Sequence, residues 1–237
     1  MQHDASVVDA PPVPSRGVPL MRRFNLTFHG LGAPGSTILE MERRYWLAEV
    51  AFDRILDRAM LWSDACITFD DGNLSDFTVA LPQLLKRQLH GNFFVLAGRL
   101  NSPGYLGSHE LRQLLAAGME IGSHGMHHRS WRRLPEGDLR QEIVDAKAGL
   151  EDLLGIPITQ AACPFGEYGR AALRMLADAG FQRVYTSDRG WAKSSAWLQP
   201  RNTVTATTAI EDLEAVRAWP GPKQWLHHVK LSVKRRR

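Results

Sequence analysis

Short apolar runs alternate with longer amphipathic stretches along most of the chain. The first run, Phe24 to Phe28, is rich in aromatic residues and ends at His29 and Gly30, as expected for a buried strand. Six further runs of this kind begin near residues 65, 91, 119, 159, 183 and 197. Helical periodicity predicts helices over residues 40–60, 75–89, 108–117, 135–154, 170–179 and 210–219.

This alternation of strands and helices predicts parallel strands joined by helical crossovers. Seven such strands favour an incomplete barrel of the α/β class over an open sheet. In both architectures the functional residues lie at the carboxyl ends of the strands. The polar side chains that follow the predicted strands are therefore the first candidates, namely those of His29, Asp70, Asp71, His124 and Asp188.

Three regions are predicted: a flexible arm over residues 1–20, a catalytic barrel over 21–222 and a basic helix or tail over 223–237. The arm has neither the basic start nor the apolar centre of a signal peptide. No apolar run is long enough to span a bilayer, so we expect a cytoplasmic protein. The tail combines Trp225 and Leu226 with five basic residues. It is interpreted as a solvated tail, with peripheral contact at the inner membrane face as the alternative.

Composition narrows the class of protein further. The 237 residues are 44% hydrophobic and 23% charged, which is ordinary for a folded globular domain. The net charge of +4 comes largely from the tail, so a nucleic-acid partner is not expected. Cys66 and Cys163 lie in strand-like segments, which predicts two buried thiols rather than a disulfide. The sequence does not indicate an oligomeric state.

The stretch Thr68-Phe69-Asp70-Asp71-Gly72 carries the strongest chemical signal. Two adjacent carboxylates follow an apolar strand, and adjacent side chains diverge, so one carboxylate is free to bind a cation while its neighbour points elsewhere. A tight turn is the competing interpretation, because Asp-Asp-Gly is also a common turn sequence.

Histidines supply a second cluster. His124 and His128 are four residues apart, which would place both imidazoles on one side of a helical turn, and His127 offers a competing pair with His124. One carboxylate and two imidazoles form a three-ligand set that leaves a position for water. The second carboxylate is then available as a general base. Imidazole ligands favour zinc, with cobalt, nickel or manganese also possible, over magnesium.

These residues resemble the NodB-homology polysaccharide deacetylases, the fourth family of carbohydrate esterases. The first family motif, Thr-Phe-Asp-Asp-Gly, is intact at Thr68 to Gly72. The second, His-Ser/Thr-x-x-His, is matched in spacing by His124 and His128, and the third, Arg-x-Pro-Tyr/Phe-Gly, by Pro164 to Gly166. Order and spacing agree over roughly residues 24–204.

The resemblance implies a distorted, incomplete (β/α)7 TIM-like barrel and metal-dependent hydrolysis of N-acetyl, and sometimes O-acetyl, groups on amino-sugar glycans. It makes Asp70 the base that activates a metal-bound water, and Asp71, His124 and His128 the metal ligands. The metal would polarise the acetyl carbonyl. The backbone N–H of Phe165, between Pro164 and Gly166, would be the second oxyanion donor.

The chain also departs from the family pattern. Gly125 replaces the Ser or Thr of the second motif, and Ala162 replaces the Arg that partners the base in the third. Arg201 resembles an Arg near the last strands of some family members and is a candidate to orient Asp70 or to contact substrate. A surface arginine is the alternative interpretation.

The general acid is harder to assign. The family uses a His in a late Leu-x-His motif, but His227 and His228 adjoin the basic tail and are interpreted as structural. His29 follows the first strand and is a candidate acid or substrate contact, with a core histidine as the alternative. Tyr168 and Trp191 are candidate sugar-stacking residues.

Two other functions stay open at this point. A related amide or cyclic-imide hydrolase of the same fold would act on a substrate that is not a sugar. A non-catalytic glycan-binding protein would account for the incomplete third motif, although the intact Asp70, Asp71, His124 and His128 argue against it.

Overall fold

Eight strands organise the part of the chain that the structure, a computed structural model, describes: residues 22–35, 38 and 40–219. They are β1 (Arg22–Phe28), β2 (Ala65–Phe69), β3 (Gly91–Val95), β4 (Glu120–Ser123), β5 (Gln160–Ala162), β6 (Arg183–Thr186), β7 (Ala192–Lys193) and β8 (Leu198–Thr203). Seven of them are parallel and follow the order β2-β3-β4-β5-β6-β8-β1, and β1 pairs with β2 to close a barrel. The short β7 joins β1 in the antiparallel sense. The expected seven-stranded barrel is therefore confirmed.

Helices connect successive strands. They are α1 (Glu40–Arg43), α2 (Glu49–Ala59), α3 (Leu81–Lys86), α4 (Ser108–Ala116), α5 (Glu136–Arg140), α6 (Ala146–Leu154), α7 (Arg170–Asp178) and α8 (Ile210–Arg217). A π-helical segment, Asp76–Ala80, leads into α3, and a second, Gln141–Asp145, joins α5 to α6. The two helices predicted over 75–89 and 135–154 are thus continuous but each contains a wider turn.

Alternation along the strands separates the two faces of the barrel wall. In β1, Phe24 packs edge-on against Trp62, and Phe28 packs against Phe52 of α2, so this face forms the core between barrel and helices. Asn25 instead donates a hydrogen bond to the Gln199 side chain inside the barrel. Because side chains alternate along a strand, the interior of the barrel receives polar residues from several strands.

The single helix predicted over residues 40–60 is wrong. The chain leaves helical geometry after α1 because Leu47 pairs with the loop after β1: its N–H donates to the carbonyl of Gly30. The Trp46 ring lies against Gly30, where an added Cβ would come within 2.1 Å of it. Met41 and Val50, which the periodicity places on the buried side, are 73% and 65% exposed.

Other expectations are resolved in part. Cys66 and Cys163 are both free, as predicted, but only Cys163 is fully buried, since Cys66 lies near the barrel end. Among the described residues, no helix is both long and apolar enough to cross a membrane. The predicted arm over 1–20 and the basic tail over 223–237, with its membrane contact, lie outside the described residues.

Candidate active site

The paired carboxylates diverge at the carboxyl end of β2. Asp70 continues the inward direction of Thr68 and is almost completely buried. Asp71 follows with a φ of 77°, so the backbone turns out of the strand and carries the second carboxylate toward the loops. The predicted divergence of adjacent side chains is confirmed, and it separates two roles at one strand end.

Asp70 is held by a buried guanidinium. Nη1 and Nη2 of Arg201 donate to its two carboxylate oxygens at 2.6 and 2.7 Å, a bidentate pair. Burial raises the pKa of Asp70, but the charge and hydrogen bonds of Arg201, together with His124, lower it more, so the pKa lies well below its usual range. Arg201 is itself fully buried, so the surface-arginine interpretation is wrong.

Asp71 meets two histidines. Its Oδ1 lies 3.6 Å from Nε2 of His124 and 3.5 Å from Nε2 of His128, and the three ligand atoms lie within 4.8 Å of one another. This oxygen is buried and has no hydrogen-bond partner among the described residues. Three atoms that converge in this way, one of them an unsatisfied carboxylate oxygen, fit a divalent cation.

The protonation of the two imidazoles also fits a cation. Nδ1 of His124 lies 2.9 Å from the carbonyl oxygen of Ala162, which can only accept, so Nδ1 carries the proton and Nε2 keeps its lone pair. Burial lowers the pKa of His124 to about 3 and also lowers that of His128. Burial raises the pKa of Asp71 to about 6. At neutral pH the set is therefore two neutral imidazoles and a mostly ionised carboxylate.

The histidine pair does not lie on a helical turn, contrary to the prediction from spacing. Gly125 and His128 have positive φ angles of 93° and 58°, so the segment is an irregular loop that folds back on itself. The Glu142 carboxylate accepts hydrogen bonds from the N–H groups of Met126 and His127 at 3.1 and 3.0 Å and shapes the loop. The His127 side chain is exposed and lies outside the ligand cluster, so the competing pair is wrong.

Glu142 also accounts for the glycine in the second motif. A Cβ on Gly125 would come within 2.6 Å of the Glu142 carboxylate and 3.2 Å of the Trp131 ring. The buried carboxylate occupies the volume that a serine or threonine side chain would need. Glu142 is a site residue that the sequence interpretation missed.

The third motif forms a turn beside the candidate metal ligands. Pro164 to Gly166 is a short 3-10 turn in which Phe165 has a φ of 56° and is 62% exposed. The Phe165 ring centroid lies 4.3 Å from that of His128. Gly166 is required here because a Cβ would come within 2.6 Å of Ser187.

A cavity of about 530 Å³ opens over these residues. His29 lines it, with Nε2 4.0 Å from a carboxylate oxygen of Asp70 and its ring stacked on Tyr45 at 4.9 Å between centroids. Nδ1 of His29 is buried and has no hydrogen-bond partner among the described residues. A core histidine is therefore not the right description, since this side chain faces the cavity.

Several predicted contacts lie elsewhere. Tyr168 is 1% exposed and donates its hydroxyl hydrogen bond to the Asp188 carboxylate, so it packs behind the cavity rather than lining it. Trp191 and Pro164 do not line the cavity either. His227 and His228 lie outside the described residues.

The cavity contains residues that the sequence interpretation did not select. They lie in the connections that follow β1 and β3 and include Glu42, Arg44, Tyr45, Trp46, Arg99 and Tyr105. None belongs to a recognisable motif, and their approach depends on loop geometry that strand periodicity does not encode. Arg44 and Tyr45 fall inside the helix predicted over residues 40–60, so a search of the predicted loops would have missed them.

Known proteins share both the sequence and the fold. The chain is 30% identical over 131 residues to the peptidoglycan-N-acetylglucosamine deacetylase of Bacillus cereus, a match covering 53% of this chain and 59% of that protein. It is 25% identical over 132 residues to YxkH of Bacillus subtilis, a protein assigned to the polysaccharide deacetylases, covering 55% and 47%. The chain thus matches about half the length of these curated relatives.

Solved structures show the same barrel. The deacetylase PplD of Streptococcus pyogenes, solved with acetate, has a TM-score of 0.71 at 19% identity, covering 82% of this chain and 97% of that one. IcaB of Ammonifex degensii has a TM-score of 0.66 at 23% identity, covering 83% and 95%. The family model described as polysaccharide deacetylase matches residues 63–184, more than half of the 237 residues. The chain therefore belongs to the polysaccharide deacetylase family.

Proposed function

We propose that this protein is a metal-dependent deacetylase that hydrolyses N-acetyl groups of an amino-sugar glycan. The observation that carries the proposal is the ligand cluster of Asp71, His124 and His128 next to a separate, ionised Asp70 in one cavity. The B. cereus relative, which acts on N-acetylglucosamine in peptidoglycan by its name, supports the substrate class.

Asp71, His124 and His128 would hold the cation through one oxygen and two Nε2 atoms. Zinc suits this set best, and cobalt, nickel or manganese would also fit. When bound, such a cation supplies a Lewis acid for the acetyl carbonyl and lowers the pKa of water. The protein's own side chains are proposed to orient the substrate and to transfer the protons.

Asp70 is proposed to take a proton from the water that attacks the acetyl carbon. Its carboxylate is ionised at neutral pH because its pKa lies well below the usual range. The bidentate contact with Arg201 fixes the orientation of the Asp70 carboxylate. Arg201 thus takes the role of the third-motif arginine, whose position is occupied by Ala162 in this chain. Arg201 is a positioning residue here rather than a substrate contact.

His29 is proposed to donate a proton to the amide nitrogen as the carbon–nitrogen bond breaks. Its Nε2 faces the cavity 4.0 Å from Asp70, and the stack on Tyr45 holds the ring in place. The product is then a free amine and acetate. Proton donation to the leaving nitrogen is needed because an unprotonated amide anion is a very poor leaving group.

The third motif is proposed to stabilise the developing oxyanion. Among the described residues, no protein oxygen accepts a hydrogen bond from the Phe165 N–H, which leaves this donor for substrate. Donors that are fixed before reaction contribute more than those that must reorient. The exposed Phe165 ring and the Trp46 and Tyr105 rings in the cavity offer apolar faces for sugar rings.

Acetate release from N-acetylglucosamine oligomers and from peptidoglycan, measured with zinc-loaded protein, tests the proposal. His124→Ala should lose both bound metal, by mass spectrometry, and acetate release. His29→Gln should keep about one metal per chain and lose roughly 100-fold or more in kcat, as expected for removal of a general acid. His109→Gln on the exposed side of α4 is the matched control and should change neither quantity.

Three results would contradict the proposal. If the wild-type protein binds no metal after zinc loading, the proposed catalytic site is wrong. If the metal-loaded protein opens cyclic imides but releases no acetate from N- or O-acetylated sugars, its activity is hydrolysis of a different amide bond. Binding of glycan without any turnover would favour the glycan-binding interpretation.

A further inference from the structure

Two arginine–tyrosine pairs line the cavity, and the tyrosine of one pair, Tyr45, stacks on His29. The Arg44 guanidinium donates to the Tyr45 hydroxyl at 2.7 Å, and its Cζ lies 4.7 Å from that ring centroid. The Arg99 guanidinium donates to the Tyr105 hydroxyl at 3.0 Å, with Cζ 5.2 Å from the ring centroid. All four side chains line the cavity.

Neither arginine is paired with a carboxylate in the part of the chain that the structure describes. Among the described residues, no carboxylate oxygen lies within 4.0 Å of a guanidinium nitrogen of Arg44 or Arg99. A guanidinium has five N–H donors, and only one donor of each arginine is used by a tyrosine. The rest are available to a ligand with several acceptor oxygens, such as a carboxylate or a phosphate.

Charges in the cavity leave an excess of positive charge once a divalent cation is bound. Asp70 is neutralised by Arg201, and Asp71 is a ligand of the cation. Glu42 is the other acidic residue that lines the cavity, and it offsets only one of the two arginines. An anionic group is therefore favoured in this cavity.

The Arg44 pair is held by the same loops that frame the site. The Arg44 carbonyl accepts a hydrogen bond from the N–H of Ala206, and Leu47 is bonded to Gly30 as described above. The Tyr45 ring is fixed by its stack on His29. The guanidinium thus starts from an anchored segment, which reduces the entropy lost on binding a ligand.

The Arg99 pair is anchored from the other side. Its turn is tied to the histidine loop because the N–H of Gly98 donates to the carbonyl of Met126. Tyr105 lies beside Asn73 in a short β-bridge next to the first motif. Since β2 lies between β1 and β3 in the barrel, the two arginines approach Asp70 and Asp71 from the two neighbouring strand ends.

We infer that Arg44 and Arg99 bind an anionic substituent of the glycan, a carboxylate or a phosphate on a sugar near the acetylated one. The inference rests on the proposed deacetylase function and narrows its substrate to an acidic glycan. Two preorganised guanidinium groups with free donors on both sides of the reacting centre are not needed for a neutral sugar. They select for charge at a fixed distance from the acetyl group.

Binding of matched oligosaccharides without acetyl groups tests this separately from turnover. The probes are a β-1,4-linked glucose tetramer, the corresponding glucuronate tetramer and a glucose tetramer carrying a 6-phosphate. Dissociation constants are measured by titration calorimetry with the zinc-loaded full chain at low salt and at about 0.15 M ionic strength. The carboxylate and phosphate arms distinguish the two sources of charge.

At least one anionic tetramer should bind about 10-fold more tightly than the neutral one, which is the scale of one charge-assisted hydrogen bond. Arg44→Gln and Arg99→Gln should each reduce the preference, and the double variant should abolish it. Salt should weaken it in the wild type. Arg54→Gln, an exposed arginine of α2 outside the cavity, is the matched control and should keep the preference.

The inference is wrong if the wild type binds neutral and anionic tetramers equally or binds neither anionic probe. It is also wrong if the preference for anions survives in the double variant. Acetate release by the wild type from neutral N-acetylglucosamine oligomers reports separately on the proposed function. If the protein deacetylates these oligomers but shows no preference for anions, the proposed function stands and the inference is wrong. If the protein releases no acetate from neutral or acidic glycans, the proposed function is wrong, and so is the inference that rests on it.

Discussion

At the residue scale, the two carboxylates and two histidines show how much chemistry the motifs encode. Their spacing predicts the ligand set, and alternation along β2 places Asp70 on the interior side with Thr68. The same parity rule, applied to β8, places Arg201 inside the barrel with Gln199, because the two are separated by one residue. Glu142 was not predictable in this way, since its role depends on how the irregular loop after β4 folds back onto the next helical segment.

Gly125 is expected to be irreplaceable even by the serine that the family motif prefers. Gly125→Ser places a side chain at a φ of 93° and within 2.6 Å of the Glu142 carboxylate. We expect a loss of about 2 kcal/mol or more in the free energy of unfolding, from backbone strain and the clash together. Thermal denaturation measures it.

Gly137 provides the control for that variant. It lies in α5 with an ordinary φ, and a Cβ there would meet no atom within 4 Å. Gly137→Ala should hold or raise stability, by up to about 1 kcal/mol, because alanine favours a helix. A stable Gly125→Ser protein with normal metal content would contradict the account of the second motif given above.

Asp76 is a buried carboxyl group that the proposed chemistry does not use. Both of its oxygens lack hydrogen-bond partners among the described residues, and burial, with Asp71 and Asp70 nearby, raises its pKa well above the usual value. The folded state therefore binds a proton that the unfolded state releases above a pH of about 4. Stability falls as pH rises between the unfolded and the folded pKa values.

Asp76→Asn removes this linkage while keeping the shape of the side chain. The variant should gain stability relative to the wild type as pH rises from 5, by at most about 1.4 kcal/mol per pH unit. Chemical denaturation at pH 5, 6, 7 and 8 measures the difference. Asp152→Asn, at an exposed position of α6, should show no such trend. A difference that is independent of pH would mean that Asp76 is ionised in the folded protein.

At the scale of elements, strand positions followed from the sequence more closely than helix boundaries did. Runs such as Arg183–Thr186 are bounded by polar residues and glycines, and their predicted limits match the structure. The helix predicted over 40–60 failed because Trp46 packs on Gly30, a contact between segments that periodicity does not report. The short β7 escaped prediction because two residues carry no periodic signal.

The wide turn between α5 and α6 bears directly on the proposed metal site. Glu142 lies in this π-helical segment, is fully buried, and accepts hydrogen bonds from two N–H groups of the histidine loop and, at 3.4 Å, from Trp131. An extra residue in a helical turn shifts the direction of the side chains that follow it. The segment thus acts as a support for His128.

Glu142→Gln should weaken this support without unfolding the barrel. Its amide NH2 group would face N–H donors, so at least one loop hydrogen bond is lost. We expect zinc affinity to fall by about 10- to 100-fold, the range for residues that orient metal ligands. Competition with a chelator measures it. Glu136→Gln, on the exposed side of α5, should leave the affinity unchanged, and equal affinities for the two variants would contradict the role of Glu142.

At the scale of the whole molecule, the sequence predicts seven parallel strands but not their closure. Closure requires β1 to pair with both β2 and β8. The pairing of β1 with β8 joins the first and the last strand of the barrel. Such pairing depends on long-range packing, which short windows of sequence cannot report. Family resemblance supplied the barrel before any contact was known.

The pair of Asp70 and Arg201 links these distant parts inside the barrel, since Asp70 directly follows β2, Arg201 lies in β8, and the two residues are 131 positions apart in the sequence. Removing one partner leaves a buried charge without its counterpart. Asp70→Asn should therefore cost about 3–5 kcal/mol in the free energy of unfolding, besides abolishing deacetylation. The other groups around the Arg201 guanidinium are uncharged, namely the Thr68 hydroxyl and the Phe94 and Tyr185 rings, so they replace only part of what the carboxylate contributes.

The double variant Asp70→Asn with Arg201→Gln separates stability from catalysis. It removes both charges, so most of the lost stability should return while acetate release stays absent, because the base is still missing. Denaturation of the wild type, both single variants and the double variant gives the coupling energy between the two sites. Arg129→Gln, which breaks an exposed pair with Asp138, should leave the melting temperature unchanged. Additive losses at Asp70 and Arg201 would mean that the barrel interior is wet enough to solvate each charge alone, and the low pKa of Asp70 would then need another cause.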